Sequence, residues 1–181
     1  MAKMIAIKDL FFEPYLEEEV ILDRIKVLAN SINHDYKTKK PILIAVLNGS
    51  FMFMSDICKE ITIDMTVSFI KVASYSGLRS DGKVRDLIGL DESLEGRDVL
   101  IVEDIVDTGN SMAHLIKVIR DKQPKSVEVV SLLLKPDALK EPIGIKYTGF
   151  EIPDLFVVGY GLDYDGQGRN LRNIYQITEN N

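Results

Sequence analysis

Four apolar residues in a row, Val99-Leu100-Ile101-Val102, run straight into two acids, Glu103-Asp104, and then into Ile105-Val106-Asp107-Thr108-Gly109. A strand with one wet face alternates apolar and polar residues. One that is apolar at every position is covered on both faces, as in the parallel sheets of α/β proteins. Ile42-Leu43-Ile44-Ala45-Val46-Leu47 repeats the pattern and stops at Asn48-Gly49-Ser50. Two such strands commit the chain to a mainly parallel sheet flanked by helices, and ligands of such sheets bind beyond the carboxyl ends of the strands.

The segments between these runs fit that plan. Ile21, Ile25, Leu28 and Ile32 fall on one face of an expected helix over 16–32, with Glu17, Glu18 and Glu19 near its start, where acids suit the helix dipole. Met54, Ile57, Cys58 and Ile61 keep helical spacing after the first strand, and Met112, Leu115, Ile116 and Ile119 do so after the second, with His114 opposite that stripe. Further strands are expected at 65–73, 126–134 and 155–159. Residues 136–153 are rich in Pro and Gly, and an irregular tail is expected from Gly161. Between the strands, 74–86 is a long polar stretch, and loops of roughly 12–15 residues in a compact domain are usually functional or disordered.

Composition narrows the partners. The 181 residues suit one domain. With 22 Lys and Arg against 28 Asp and Glu, the net charge of −6 disfavours nucleic acid and anionic membranes, which want a basic face. A small phosphorylated ligand needs only a local cluster of donors. Cys58 is the single cysteine, which forbids an intrachain disulfide and suits a reducing cytoplasm. His34 and His114 are too few for a structural zinc site. No apolar run approaches the roughly 18 residues of a membrane span, and the first ten residues lack the apolar stretch of a signal peptide.

The chemistry concentrates between Val99 and Ser111. A helix starting near Ser111 would aim the free backbone N–H groups of Thr108, Gly109, Asn110 and Ser111, and the hydroxyls of Thr108 and Ser111, at an anion. Gly109 lets a phosphate approach the backbone. Glu103 and Asp104, at the strand tip, repel a phosphate but accept hydrogen bonds from a sugar's hydroxyl pair, or seat Mg²⁺ through water. Acids beside a phosphate cradle imply a phosphorylated sugar. Taken alone, Asp107 suits a helix cap, Lys135 a solvated lysine at a strand end, Phe156 the core, and Asn48-Gly49 an ordinary tight turn. Gly161-Leu162-Asp163-Tyr164-Asp165-Gly166-Gln167-Gly168-Arg169 has the acids of a calcium loop, but its twelfth position would be Ile174 instead of Glu, which excludes calcium.

The segment Val99–Gly109 resembles the phosphoribosyl-pyrophosphate motif of type I phosphoribosyltransferases. The likeness runs from about Pro41 to Arg169. Phe150-Glu151-Ile152-Pro153 and Phe156-Val157-Val158-Gly159-Tyr160-Gly161-Leu162-Asp163-Tyr164, with Ser74-Tyr75 and Lys135, are similar to the 6-oxopurine branch, the hypoxanthine-guanine enzymes. The resemblance implies a single domain, 1–181, with a core at roughly 36–135 and a small hood from roughly 1–15 and 136–181. It implies that Glu103 and Asp104 hold the ribose hydroxyls and that residues 107–111 wrap the 5-phosphate. Asp107 would take a proton near N7 of the purine, and Lys135 would donate to its O6. Phe156 would stack on the base, with the main chain of Val157 reading its edge and Asp163 close by. Asp163 would also hold Mg²⁺, with Glu103 and Asp104 as further candidates. Arg169, Asn48, Gly49, Ser74 and Tyr75 would face pyrophosphate, with 74–86 as a lid. Asn48 and Asn110 stand where some relatives carry Lys, so their backbone N–H groups are the parts that transfer.

The implied reaction joins hypoxanthine or guanine to C1 of 5-phosphoribosyl-1-pyrophosphate, giving IMP or GMP and pyrophosphate through an oxocarbenium-like transition state, in a homodimer or homotetramer. Alternatives from the same residues are a xanthine-accepting enzyme and a non-catalytic RNA-binding regulator of pyrimidine genes with the same fold. The net charge and the Phe156 and Lys135 segments count against the regulator. Acids at a strand tip also occur in receiver-type signalling domains, which need neither the anion cradle nor the long polar loop.

Overall fold

The computed structural model describes residues 3–71 and 92–178. Its larger sheet has five parallel strands: β3 (Ile42–Leu47), β4 (Thr66–Lys71), β5 (Asp98–Val106), β6 (Ser126–Leu134) and β7 (Tyr147–Glu151), in the spatial order β4-β3-β5-β6-β7. Three helices cover it: α1 (Glu18–Asp35), α2 (Phe51–Glu60) and α3 (Asn110–Arg120). A smaller antiparallel sheet takes β1 (Ile5–Ile7) and β2 (Leu10–Leu16) from one end of the chain, and β8 (Val157–Val158) and β9 (Ile174–Ile177) from the other, in the order β1-β2-β9-β8. This is the expected mainly parallel α/β fold, with a small hood of antiparallel strands beside it.

The continuous apolar runs have the expected cause. Leu43, Ala45, Leu100 and Val102 are buried in one cluster with Ile21, Ile25, Leu28 and Ile32 of α1 and Phe53, Met54 and Ile57 of α2. The alternating set Ile42, Ile44, Val99 and Ile101 is buried in a second cluster with Met112, Leu115 and Ile119 of α3. Period-two strands thus feed two cores, and β3 and the first half of β5 have no wet face, whereas β4 at the edge exposes Val67 and Phe69.

Several expectations are corrected. Helix α1 starts two residues later than 16 and runs to Asp35, because Leu16 belongs to β2, where it pairs with Ile174. Pro14 sits in that strand beside a register shift, where a missing N–H is tolerated. The Pro- and Gly-rich stretch contains β7, so the large sheet runs past residue 135 to Glu151. Gly149 fits there because a Cβ would overlap the Leu132 carbonyl. The expected strand at 155–159 shortens to Val157–Val158, and the tail holds β9. His114 is half-buried, and its Nε2, closed off from solvent, has no hydrogen-bond partner among the described residues. Ser74, Tyr75 and the 74–86 stretch lie outside the described residues.

Candidate active site

Strand β5 opens the site by losing a neighbour. It pairs with β3 from Ile42–Val99 to Ala45–Val102 and no further, while its other edge stays paired with β6 to Val106–Leu134. The strand therefore continues beyond the expected tip, and Glu103 and Asp104 lie on the stretch where β3 has turned away. The turn is Asn48-Gly49, entered through a cis peptide between Leu47 and Asn48. Ser50, fully buried, donates its hydroxyl to the Val46 carbonyl at 2.6 Å and locks the turn onto the end of β3.

Asp104 folds back against Gly49, where a Cβ would overlap its carboxylate. Its Oδ1 accepts the Ile105 N–H at 2.9 Å. Burial pushes its carboxyl up to about 6, against the pull of backbone donors and of Arg169. Glu103 is pushed well above the usual carboxylate range by burial and by the neighbouring charge of Asp104, and its buried Oε2 has no partner among the described residues. Two carboxyls held in this way wait for donors or a cation.

Opposite them stands the loop after β8. Gly161 packs on the Gly49 carbonyl so closely that only glycine fits, and its φ of 100° also favours glycine. Arg169 donates to the Gly161 carbonyl at 2.7 Å and pairs with Asp163 at 2.5 Å, while the second Asp163 oxygen accepts the Gly166 N–H at 2.6 Å. Gly49, Asp104, Asp163 and Arg169 thus converge, although the chain separates them widely. Tyr160 anchors the loop from behind, donating its buried hydroxyl to Asp56 of α2 at 2.5 Å.

Helix α3, whose start is the expected anion cradle, begins at Asn110, one residue earlier than expected. Gly109 is its N-cap, with φ of 81°, and Ala113 N–H closes the first turn onto its carbonyl at 2.8 Å. A Cβ on Gly109 would come within 2.7 Å of Ile143. The Thr108 carbonyl is held by the Lys140 N–H at 3.0 Å. No acid lies in the first turn, and Lys117 and Arg120 lie in the last. The dipole and the free N–H groups of the first turn therefore favour an incoming anion.

Asp107, exposed at the mouth of this turn, meets Lys135 from the end of β6: Nζ to Oδ2 is 3.0 Å. Lys135 is buried, 6% exposed, which sets aside the solvated reading. Its backbone N–H binds the Val106 carbonyl at 3.0 Å, and its Nζ also donates to Asp154 at 2.9 Å. Burial disfavours its charge, but the bonds to Asp154 and Asp107 outweigh that and raise its pKa. Phe156 is 44% exposed, so it is not core; its ring lies edge-on to Tyr164 at 5.9 Å and 6.2 Å from Phe12. Val157 is buried and pairs with Gln176. Asp154, Asp56, Tyr160 and Gly161 escape the sequence reading. Pro153-Asp154 just ahead of Phe156, and Gly161 just ahead of Asp163, are the local signals for two of them.

Among the described residues, no three His, Cys, Asp or Glu side chains gather into a metal cage. The oxygens of Glu103, Asp104 and Asp163 suit a hard cation that keeps its waters and arrives with a phosphate, which is how Mg²⁺ usually binds. Among the described residues, no helix is long and apolar enough to cross a membrane.

The chain is similar to known proteins over most of its length. The family model of the phosphoribosyl transferase domain matches residues 13–165. The chain is 41% identical over 157 residues to a hypoxanthine-guanine phosphoribosyltransferase of Bacillus subtilis, covering 86% of this chain and 87% of the relative. It is 40% identical over 169 residues to a hypoxanthine phosphoribosyltransferase of Salmonella typhimurium, covering 92% and 95%. A crystal structure of a Staphylococcus aureus hypoxanthine phosphoribosyltransferase superposes with a TM-score of 0.87 at 41% identity, over 92% of this chain and 91% of that one.

Proposed function

The chain belongs to the phosphoribosyl transferase family, and we propose that it is the purine-salvage enzyme that transfers the 5-phosphoribosyl group of 5-phosphoribosyl-1-pyrophosphate to N9 of hypoxanthine or guanine. The products are IMP or GMP and pyrophosphate. One observation carries this reading: a buried lysine, Lys135, stands beside Asp107 at the start of α3, with two acids, Glu103 and Asp104, on the strand that leads there, the buried Glu103 Oε2 without a partner among the described residues. This supports a reading in which Lys135 is the donor for a carbonyl-bearing base, the start of α3 the cradle for a phosphate, and Glu103 and Asp104 the acceptors for a diol.

In this reading, the N–H groups of Asn110 and Ser111 and the hydroxyls of Thr108 and Ser111 bind the 5-phosphate. Glu103 and Asp104 orient the ribose hydroxyls, so that C1 faces the base. Asp107 takes the purine's N7 proton as the N9–C1 bond forms and the C1–O bond to pyrophosphate breaks. Lys135 donates to O6, Phe156 covers the ring, and the main chain of Val157 reads its edge beside Asp163. Arg169 and the Asn48-Gly49 turn face the departing pyrophosphate, where fixed donors stabilise charge without reorganising. Mg²⁺ held by Asp163, with Glu103 and Asp104 nearby, would supply Lewis-acid neutralisation of that leaving group. Ser74 and Tyr75, which lie outside the described residues, are assigned to the pyrophosphate in the same reading. Assembly as a homodimer or homotetramer and residence in the cytoplasm belong to the same reading.

A pyrophosphate-release assay with each free purine, with and without Mg²⁺, tests it. Turnover with hypoxanthine and guanine that requires Mg²⁺ is expected. Release with neither base would overturn the proposal, and xanthine as the preferred base would revise its specificity.

A further inference from the structure

Lys135 holds two carboxylates at once, Asp107 at 3.0 Å and Asp154 at 2.9 Å. An ammonium has three N–H donors. Two are used here, and one remains for a ligand. The two acids differ in what surrounds them. Asp107 lies in the turn that becomes the anion cradle. Asp154 lies in the loop between β7 and β8, which is pinned by Ile152 N–H to the Leu134 carbonyl and by Leu155 N–H to the Pro153 carbonyl, both at 2.8 Å. Leu134 directly precedes Lys135, so this loop and the lysine share one anchor. The acid itself is 69% exposed and supports no core.

Two demands on Asp107 conflict in the proposed reaction. It must neutralise a buried ammonium, and it must turn to a proton on the purine. A buried ammonium that loses its partner is costly, so Lys135 would either keep Asp107 or swing out of the site. A second, permanent carboxylate removes the conflict. We propose that Asp154 is a positioning residue: it is the standing counter-ion of Lys135, which frees Asp107 for the purine and aims the remaining Nζ proton at the 6-oxo group. A fixed, desolvated donor penalises any ligand that leaves it unpaired. Asp154 therefore sets the preference for 6-oxopurines over purines that lack an oxygen at that position. Phe156, two residues on, belongs to the same loop, so the base's edge and face are held by one short stretch of chain.

The inference rests on the proposed reaction, and the test separates the two. Wild type, Asp154→Ala and Asp154→Glu are compared by steady-state kinetics with hypoxanthine, by the Ki of unsubstituted purine against it, and by the KM for the ribosyl donor. In Asp154→Ala, the hypoxanthine KM should rise about tenfold. The ratio of purine Ki to hypoxanthine KM should fall by a similar factor, and the donor KM should stay within about twofold. Asp154→Glu should restore part of the preference. An unchanged ratio in an active Asp154→Ala overturns the inference, as does an equal loss for base and donor with a lowered Tm, which would mark a merely structural acid. Should the alanine variant fail to fold, Asp154→Asn is read in the same way. A wild type inactive on hypoxanthine overturns the reading of function, and this inference with it.

Discussion

Asp104 lies against Gly49 with no room between them for a methyl group, and Gly161 closes on the Gly49 carbonyl from the other side. Three segments, the ends of β3 and β5 and the loop after β8, therefore meet at one glycine. Gly49→Ala should displace the Asp104 carboxylate and part the loop from the turn. The expected result is a rise of more than about tenfold in the KM for the ribosyl donor, with a smaller change for the base; each tenfold corresponds to about 1.4 kcal/mol. Steady-state kinetics with each substrate varied in turn checks this, and an unaltered donor KM would mean that the close approach has no part in binding.

Asp107→Asn keeps the shape of the turn but removes the proton acceptor. A positioned base contributes roughly 10²–10⁴ to a rate, and kcat should fall by that much. Near-normal turnover would remove Asp107 from the role.

Arg169 uses one guanidinium edge on Gly161 and Asp163. Lysine has a single point of charge and no planar fork, so Arg169→Lys should not be innocuous. A rise of about tenfold in the donor KM, with the hypoxanthine KM unchanged, is the expected pattern. Wild-type kinetics in the variant would show that the charge alone suffices.

Tyr160→Phe removes the hydroxyl that binds Asp56, while Asp56 keeps Lys59 at 2.7 Å. The loss should be about 1–2 kcal/mol, the worth of a hydrogen bond to a charged acceptor with a second partner present. Urea denaturation at neutral pH measures it, and a change below about 0.3 kcal/mol would show the bond to be idle.

At the end of α1, Asp35 accepts the Tyr147 hydroxyl at 2.7 Å and pairs with Lys146 at 3.1 Å. These bonds hold its carboxyl below the usual range, the tyrosine contributing most. A depressed carboxylate stabilises the fold above its unfolded pKa of about 3.9, and that stability is lost as pH falls through the lower, folded value. Asp35→Asn should therefore be less stable than wild type at pH 7. The pair is partly exposed, so the gap should be no more than about 1 kcal/mol. It should begin to shrink as the pH falls below about 4 and go on shrinking through the lower, folded value. A gap that does not shrink as the pH is lowered would assign the effect to packing.

The sequence made the centre of the large sheet readable because β3 and Val99–Val102 of β5 are apolar at every position, as strands covered on both faces are. Apart from β8, which falls inside the strand expected at 155–159, the small sheet was not readable. Its strands are short, mixed in character and interrupted by Pro14, and they pair between the two ends of the chain, so no local pattern marks them. Strand β7 was hidden among Pro and Gly, for Gly149 reads as a breaker although it answers to the Leu132 carbonyl. At the site, Glu103, Asp104 and Gly109 stood out because acids and a glycine directly after an apolar strand have few other uses. Lys135 looked like an ordinary strand-end lysine, and only its burial between Asp107 and Asp154 distinguishes it. Asp154 and Tyr160 act through contacts distant in sequence, which spacing cannot reveal.

Strand β9 sits between β2 and β8, pairing Phe12 with Ile177 and Val158 with Tyr175. During synthesis, the ribosome must therefore deliver Ile174–Ile177 before the early hairpin has anything to zip onto. The large sheet can condense from segments near one another in sequence, whereas the smaller one waits for a contact spanning almost the whole polypeptide. Phe156 and Val157, proposed to face the base, are thus among the last parts to find their places, and a nascent chain would gain the proposed phosphate cradle before the proposed base site.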